Sequence, residues 1–282
     1  MPEPDDNDVQ IFIQAMRKRS CYDFSNYSMS SLKRRIWKVL TDNNMNIHQL
    51  ADSILSDWSF TEKIVRSITV CTTELFRDPA LWISIRDDIL SSFTGKDIIR
   101  VWHAGCSTGQ EVYSMMILLN ELNMLDKSEI YASDINTDVL ALAKQGIYKY
   151  RFNKVYLENF DRVFRNDLLP AENMKVPYEK YFTVNTMADE IRMLPFLTEK
   201  PVYKKSDLVN DENPFRVIFD IIVCRNVIIY FNFELQNKVF NLFYRNLNDY
   251  GRLVLGAHET IIGTYTMFFN KNFHSYYKIP KK

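Results

Sequence analysis

The segment that most restricts the fold is VWHAGCSTGQEVYS at residues 101–114, where an apolar run leads into two glycines and a helix-like pattern. A buried strand followed by a glycine-bearing turn and a helix is the building unit of parallel α/β sheets. The same succession recurs further along, because the strand-like EIYASDI precedes DVLALAKQGIY and the strand-like RVIFDIIVCRNVI precedes ELQNKVFNLFYRNL. The alternation predicts an α/β fold with a Rossmann-like, doubly wound sheet.

The first part of the chain has helical spacing instead. In SLKRRIWKVL the apolar positions share one face of a helix, and further helical patterns follow in IHQLADSILSDW and FTEKIVRSITV. We therefore predict an N-terminal helical domain over 1–85 and an α/β domain over 86–282. Residues of about 150–200 fit the alternation poorly, and they are predicted to form a small inserted subdomain with strand and helix pieces.

The charge and the cysteine content of the chain limit which partners, metal sites and cell compartments are expected. The 282 residues carry 35 basic and 35 acidic side chains, so any charged partner must be met by a local patch. The four cysteines are far apart and form no CxxC pair, which disfavours a disulfide framework or a zinc site and favours a reducing cytoplasm. We expect a cytoplasmic monomer without nucleic acid, metal or membrane insertion, because the N-terminus lacks a secretion pattern and no run reaches about 18 apolar residues.

The glycine-bearing turn predicts a nucleoside ligand without phosphates. Its glycines let the backbone approach a ligand, and the following helix offers unpaired N–H groups. The spacing is neither GxGxxG nor a P-loop, and the turn carries Glu111 where a phosphate loop has lysine. Asp134, which ends the second strand, can accept hydrogen bonds from both ribose hydroxyls. Together these residues favour S-adenosylmethionine (SAM), with a purely structural turn as the alternative.

Five segments, in order, resemble motifs of the CheR family of chemotaxis receptor methyltransferases. They are TTELFRDPALW, AGCSTGQEVYS, ASDINTDVLALAKQGIY, FDIIVCRNVIIYF and GRLVLGAHET. The resemblance extends from about residue 10 to about residue 280. It implies a helical N-terminal domain, a SAM-dependent methyltransferase domain and a small β-subdomain at about 150–200. It also implies methyl transfer to glutamate side chains of the cytoplasmic domain of methyl-accepting chemotaxis receptors, with S-adenosylhomocysteine (SAH) as the product.

The resemblance also assigns roles to individual residues. The implied SAM-binding residues are Thr73, Arg77, Gly105, Glu111, Asp134, Asp207, Leu208, Arg225 and Asn226. Within this set, Arg77 suits the SAM carboxylate and Glu111 the ammonium group. Asp207 and Leu208 would meet the adenine edge. Arg77 and Tyr230 are the implied catalytic residues, and an aromatic ring such as that of Tyr230 suits a sulfonium cation.

The expected reaction needs no general base. Methyl transfer from a sulfonium to a carboxylate is an in-line displacement, and a glutamate acceptor is already ionised near pH 7. Catalysis would then come from positioning and exclusion of water. His103 and His258 are accordingly expected to be structural residues.

Three further expectations concern departures and the substrate. Cys71 stands where a family member has asparagine, and it could weaken a contact to SAM. The basic residues of SLKRRIWKVL are either a solvated helix face or a docking face for an acidic receptor helix; they are Lys33, Arg34, Arg35 and Lys38. Residues 151–200 contain no glycine, so the glycine-containing loop through which some family members bind a receptor pentapeptide is expected to be absent.

Two other functions remain open from the sequence. One is a dinucleotide oxidoreductase, which the spacing of the loop disfavours. The other is a non-catalytic SAM- or SAH-binding regulatory or scaffold protein with the same fold.

Overall fold

The computed structural model describes residues 3–20, 22–69, 73–164, 176–272 and 275–280. Four helices form the N-terminal region: α1 (Asp6–Arg19), α2 (Met29–Asn43), α3 (Ile47–Ser56) and α4 (Trp58–Ile68). Their apolar faces pack together into a core of their own. Helix starts are set locally, since Asp5 with Asp8 and Asn46 with Gln49 form capping boxes on α1 and α3.

A seven-stranded sheet dominates the rest of the chain, and its strand order is β6-β2-β1-β7-β8-β10-β9. The parallel strands are β1 (Ile99–Ala104), β2 (Ser128–Asp134), β6 (Val202–Lys205), β7 (Phe219–Cys224) and β8 (Leu247–Leu255). The antiparallel strands are β9 (Phe269–Asn272) and β10 (Ser275–Lys278). The predicted doubly wound α/β sheet is confirmed, with an antiparallel edge.

Helices cover both faces of this sheet. The connecting helices are α5 (Pro79–Ser84), α6 (Gln110–Glu121), α7 (Thr137–Gln145) and α10 (Phe233–Asn246). Alternate residues of β1 belong to different cores, because Val101 packs with α5 and α6 whereas Trp102 packs with α10. The chain moves from β1 outward to β2 and β6 and then returns to β7 on the other side of β1. The strand order therefore reverses between β1 and β7, and in such sheets ligands bind in the crevice at that point.

A second, three-stranded antiparallel sheet lies within the inserted region. It consists of β3 (Ile147–Tyr148), β4 (Phe182–Asn185) and β5 (Glu190–Met193), with β5 in the centre. The flanking helices are α8 (Val155–Phe164) and α9 (Pro195–Thr198). Between β4 and β5 the turn uses Asp189, not a glycine, at a positive φ of 54°.

The domain limits expected at residues 85 and 86 stay a prediction. Apolar residues from Leu75 to Phe93 pack into the same core as β1 and α6, whereas the residues of α1 to α4 do not. A π-helical turn (residues 85–89) and a 3₁₀ turn (residues 90–93) join α5 to β1. None of the described helices is both long and apolar enough to cross a membrane.

The helical region is joined to the sheet by backbone hydrogen bonds. Tyr27 and Phe231 form an antiparallel bridge. The Ser28 N–H donates to the Tyr230 carbonyl at 2.8 Å, and the Asn232 N–H donates to the Asn26 carbonyl at 2.8 Å. These bonds hold the start of α2 against the loop that follows β7, at the carboxyl edge of the sheet.

The glycine-bearing turn after β1 is tightly packed. Gly109 has a φ of 91°, and a Cβ added there would lie 2.8 Å from the Ala143 Cβ. Gly105 has a φ of 80°, and an added Cβ would lie 2.6 Å from a methyl group of Val227. Both glycines are needed because the backbone conformation and the space each exclude a side chain.

We expect Gly109→Ala to lower the free energy of unfolding by about 1–3 kcal/mol, since it combines left-handed strain with a steric clash. Gly95→Ala is the matched control, because its added Cβ has nothing within 4 Å, and its effect should stay within about 0.5 kcal/mol. Urea unfolding followed by circular dichroism measures both. Equal stability of the two variants would contradict this account of the turn.

Candidate functional site

Two adjoining cavities lie at the carboxyl ends of β1, β2 and β7. They have about 740 Å³ and about 780 Å³ of empty space, and they share a lining of Gly105, Asn226, Val227 and Tyr230. In the first cavity (the Asp134 cavity) lie Asp134, Asp207 and Leu208. In the second (the Glu111 cavity) lie Thr73, Arg77, Glu111 and Arg225. Every residue expected to bind SAM thus lines one continuous cleft, whereas Cys71 lies outside the described residues.

Asp134 is held in place by the turn after β1. One carboxylate oxygen accepts the Ser107 N–H at 2.9 Å, and the other accepts the Asn136 N–H at 3.0 Å. Burial raises the pKa of Asp134 above its ordinary value, although these backbone donors lower it in part. The carboxylate keeps further lone pairs for a ligand in the Asp134 cavity, because each oxygen has two.

Asp207 stabilises its own loop. Its carboxylate accepts the Val209 N–H at 2.8 Å and the Asn210 side-chain amide at 2.9 Å. Burial raises the pKa of Asp207, and the nearby Asp211 carboxylate raises it further. The side chain therefore positions Leu208 against the cavity.

Arg225 is the centre of a buried ionic network beside the Glu111 cavity. Its Nη2 lies 2.8 Å from both the Asp78 carboxylate and the Arg77 carbonyl oxygen, and its Nη1 lies 3.3 Å from Glu111 Oε2. The guanidinium stacks on Trp82 at 5.5 Å, and the Trp82 indole also donates to the Arg77 carbonyl. One buried cation thus joins the turn before α5, the start of α6 and the end of β7.

Glu111 has a second partner that the sequence interpretation did not connect with the site. The His103 Nδ1 lies 2.9 Å from Glu111 Oε1. Burial raises the pKa of Glu111, but the hydrogen bond from His103 and the charge of Arg225 outweigh it, so the pKa lies below its ordinary value. Glu111 is therefore an ionised carboxylate at neutral pH, facing the cavity.

Glu259 supports the site from behind, a role that sequence reasoning missed. Its buried carboxylate accepts N–H groups of Asn226, Gly256 and Ile229 at 2.8, 2.7 and 3.3 Å. Asn226 has a φ of 58°, so the chain turns there and does not continue as a strand. Glu259 lies in the GRLVLGAHET segment that resembles the family, but the sequence interpretation gave it no role. Its role is to hold the loop that carries Asn226 and Tyr230.

Of the two implied catalytic residues, Tyr230 lies in the region that the two cavities share, and Arg77 lines the Glu111 cavity. The Tyr230 ring borders both cavities, and its carbonyl accepts the hydrogen bond from Ser28. Arg77 is half-buried beside the Glu111 cavity. Within the described part of the chain, no carboxylate forms an ion pair with the Arg77 guanidinium, which leaves it available to an anionic group of a ligand.

The four basic residues of α2 have different surroundings in the structure. Lys33 pairs with Asp6 at 2.6 Å, and Lys38 pairs with Asp42 at 2.8 Å. Arg34 is exposed. Arg35 lines the Asp134 cavity as well as the outer surface beside Arg34 and Lys38, and its buried Nε has no hydrogen-bond partner among the described residues. The four residues do not form one uniform patch, because two of them pair with carboxylates and Arg35 also reaches the cleft.

The donors and charges of the cleft fit an adenosine joined to an amino acid. In the Glu111 cavity, the two guanidinium groups and one carboxylate match a bound carboxylate and ammonium. The buried Ser107 Oγ and Arg225 Nε have no partner among the described residues, so polar groups remain to be satisfied there. The Asp134 carboxylate matches a pair of ribose hydroxyls.

Comparison with known proteins agrees with this geometry. The family described as CheR methyltransferase, SAM binding domain, matches residues 71–167 and 163–277. A protein described as putative methyltransferase Cher3, from Pseudomonas putida, is 34% identical over 259 residues, covering 91% of this chain and 89% of that protein. A chemotaxis protein methyltransferase of Borreliella burgdorferi is 32% identical over 212 residues (71% and 68%). A chemotaxis protein methyltransferase of Listeria monocytogenes is 25% identical over 265 residues (91% of both). SAM is the cofactor of this domain.

We expect the affinity for SAH to fall as the pH is lowered. The fall should begin at a higher pH than it would if Asp134 had the pKa of an ordinary aspartate. The ionised form of Asp134 accepts the ribose hydrogen bonds, and its raised pKa means that it is protonated earlier as the pH falls. Below that pKa the affinity should fall by up to about tenfold per pH unit. The pKa of Glu111 is lowered, so its protonation is shifted in the opposite direction, towards lower pH. Titration calorimetry between pH 7.5 and pH 4.5 measures the profile.

The matched variants for this profile are Asp134→Asn and Asp207→Asn. Asp134→Asn should bind SAH more weakly at neutral pH, by about 1.5–3 kcal/mol, and should lose most of the pH dependence. Asp207→Asn should keep it, because that carboxylate bonds to its own loop. An unchanged profile in Asp134→Asn would remove the ribose assignment.

Proposed function

The chain belongs to the CheR methyltransferase family, and from this we propose that it methylates glutamate side chains of chemoreceptor cytoplasmic helices. The observation that carries the proposal is the single cleft in which Asp134 and the Arg77–Glu111–Arg225 group flank Tyr230. Relatives named chemotaxis protein methyltransferases support a methyltransferase that acts in chemotaxis, and the glutamate acceptor follows from the family resemblance. The proposal includes a cytoplasmic location, where such receptor helices lie.

The two cavities divide SAM between them. The adenosine would occupy the Asp134 cavity, with the ribose on Asp134 and the adenine beside Leu208. The amino-acid part would occupy the Glu111 cavity, with its carboxylate on Arg77 and its ammonium on Glu111. The sulfur, which joins the two parts, then lies where the cavities meet, beside Tyr230.

The residues of the chain would act by position and charge. SAM supplies the methyl group on a sulfonium, and an acceptor glutamate is already ionised, so no residue has to remove a proton. The Tyr230 ring offers an electron-rich surface to the cation, and its loop is held by Glu259. Arg77 fixes the ligand carboxylate and so orients the sulfonium for in-line attack.

The exposed basic residues of α2 would meet the acidic receptor helix. Arg34 and Lys38 lie on the outer surface of α2, next to the half-exposed Trp37. Arg35 lines the cleft as well as this surface, so reversal of its charge would also disturb the SAM site. The docking face that can be tested separately from SAM binding is therefore Arg34 with Lys38.

The decisive experiment is transfer of labelled methyl from SAM to purified receptor cytoplasmic fragments. We expect label on glutamate that alkali releases, as it does from a methyl ester. SAH binding without transfer to any fragment would support the alternative function, a non-catalytic SAM- or SAH-binding scaffold. The labelled acceptors should not require a C-terminal receptor pentapeptide, and a micromolar complex with that isolated peptide would contradict this part of the proposal.

Charge reversal on α2 is expected to separate substrate capture from SAM binding. The double variant Arg34→Glu with Lys38→Glu should raise the KM for a receptor fragment about tenfold at low salt, with an unchanged Kd for SAH. The difference from wild type should shrink as salt rises, because exposed charges are screened over about 8–10 Å at physiological ionic strength.

Lys144→Glu with Lys271→Glu is the matched control, since both lysines are exposed on other elements and the net charge changes equally. That control should keep the wild-type KM. If both double variants lose the same activity, or neither does, Arg34 and Lys38 form a solvated helix face only.

A further inference from the structure

His103 is buried next to the cleft without lining it. The imidazole lies on β1 between Ala132 of β2 and Val223 of β7, and it has no exposed surface. Its only hydrogen bond within the described residues is the 2.9 Å contact between Nδ1 and Glu111 Oε1. The Glu111 side chain retains 12% of its surface exposed and lines the Glu111 cavity. Any effect of His103 on a ligand must therefore pass through Glu111.

The hydrogen bond fixes the tautomer of the imidazole. An ionised carboxylate only accepts hydrogen bonds, so Nδ1 carries the proton and donates to Glu111. Among the residues that the structure describes, Nε2 is buried without a partner. In the neutral Nδ1-protonated form this nitrogen is an acceptor, which avoids a buried unpaired N–H.

Two donors hold the two oxygens of Glu111 in different ways. His103 approaches Oε1 at 2.9 Å, whereas Arg225 Nη1 approaches Oε2 at 3.3 Å. Charge-assisted N–H···O bonds are usually about 2.7–2.9 Å long, so the contact with Arg225 is loose. The Arg225 Nη2 is bound instead by Asp78 and the Arg77 carbonyl. His103 therefore keeps the carboxylate from closing onto Arg225, which would neutralise it and turn it away from the cavity.

We propose that His103 is a positioning residue that holds Glu111 in the orientation that receives the ammonium group of SAM. This inference rests on the proposed function, in that it takes the amino-acid part of SAM to lie in the Glu111 cavity. His103 contributes the donor atom at Nδ1, and a side chain without a donor at that point leaves Glu111 to pair with Arg225.

The test compares three variants and two ligands. His103→Asn keeps an N–H donor near the Nδ1 position, His103→Gln moves it towards the Nε2 position, and His103→Leu removes it. The ligands are SAH and 5′-methylthioadenosine, which has the adenosine and sulfur but lacks the amino-acid part. Titration calorimetry gives the affinities, and thermal unfolding gives the stability of each variant.

We expect His103→Leu and His103→Gln to bind SAH about tenfold or more weakly, the size of effect expected for a lost hydrogen bond to a charged group. Their affinity for 5′-methylthioadenosine should match that of the wild type. His103→Asn should recover most of the SAH affinity. If His103→Leu fails to fold, the Asn and Gln variants still make the comparison, since they differ only in where the donor lies.

Two results would overturn this inference and leave the proposed function unaffected. One is an SAH affinity that is unchanged in His103→Gln and His103→Leu. The other is an equal loss of affinity for both ligands, which a purely structural residue would cause. A wild-type protein that binds neither ligand would instead overturn the proposed function.

Discussion

The cleft depends on one buried cation, the guanidinium of Arg225. It bonds to Asp78, Glu111 and the Arg77 carbonyl and stacks on Trp82, and so it ties three separate segments of the chain together. A buried charge is costly unless it is paired, and removal of one partner of a buried pair typically costs about 3–5 kcal/mol. The segments therefore hold a single relative arrangement. Its result is a cavity lined by the guanidinium of Arg77 and the carboxylate of Glu111.

Much of the fold could be predicted from the sequence, because buried parallel strands are short, nearly continuous apolar runs and the intervening helices have clear amphipathic spacing. The antiparallel edge strands could not be predicted. FNKN and SYYK carry no strong pattern, and they form strands through the pairing of β10 with β8 and of β9 with β10. The same is true of Asn226, which lies within an apolar run yet turns the chain, because Glu259 binds the N–H groups beyond β7.

The candidate site was predictable to the extent that its residues lie in local motifs. Asp134 and Glu111 were identified because each follows a strand at a fixed position in the βα unit. His103 was expected to be structural because the reaction needs no general base, and nothing in a strand sequence shows which side chain of the next helix it will face. Arg35 was grouped with its neighbours for a similar reason. The helical pattern places it beside Lys38, whereas only the docking of α2 on the sheet places it at the Asp134 cavity.

The hydrogen bonds between Ser28 and Tyr230 and between Asn232 and Asn26 connect the start of α2 with the loop that borders the cleft. Residues of α2 and of the end of α4 also line the Asp134 cavity. The wall of the Asp134 cavity is therefore built jointly by the helical region and the sheet. A substitution that loosens the packing of α2 on this loop would change the shape of the cavity without altering any residue of the sheet.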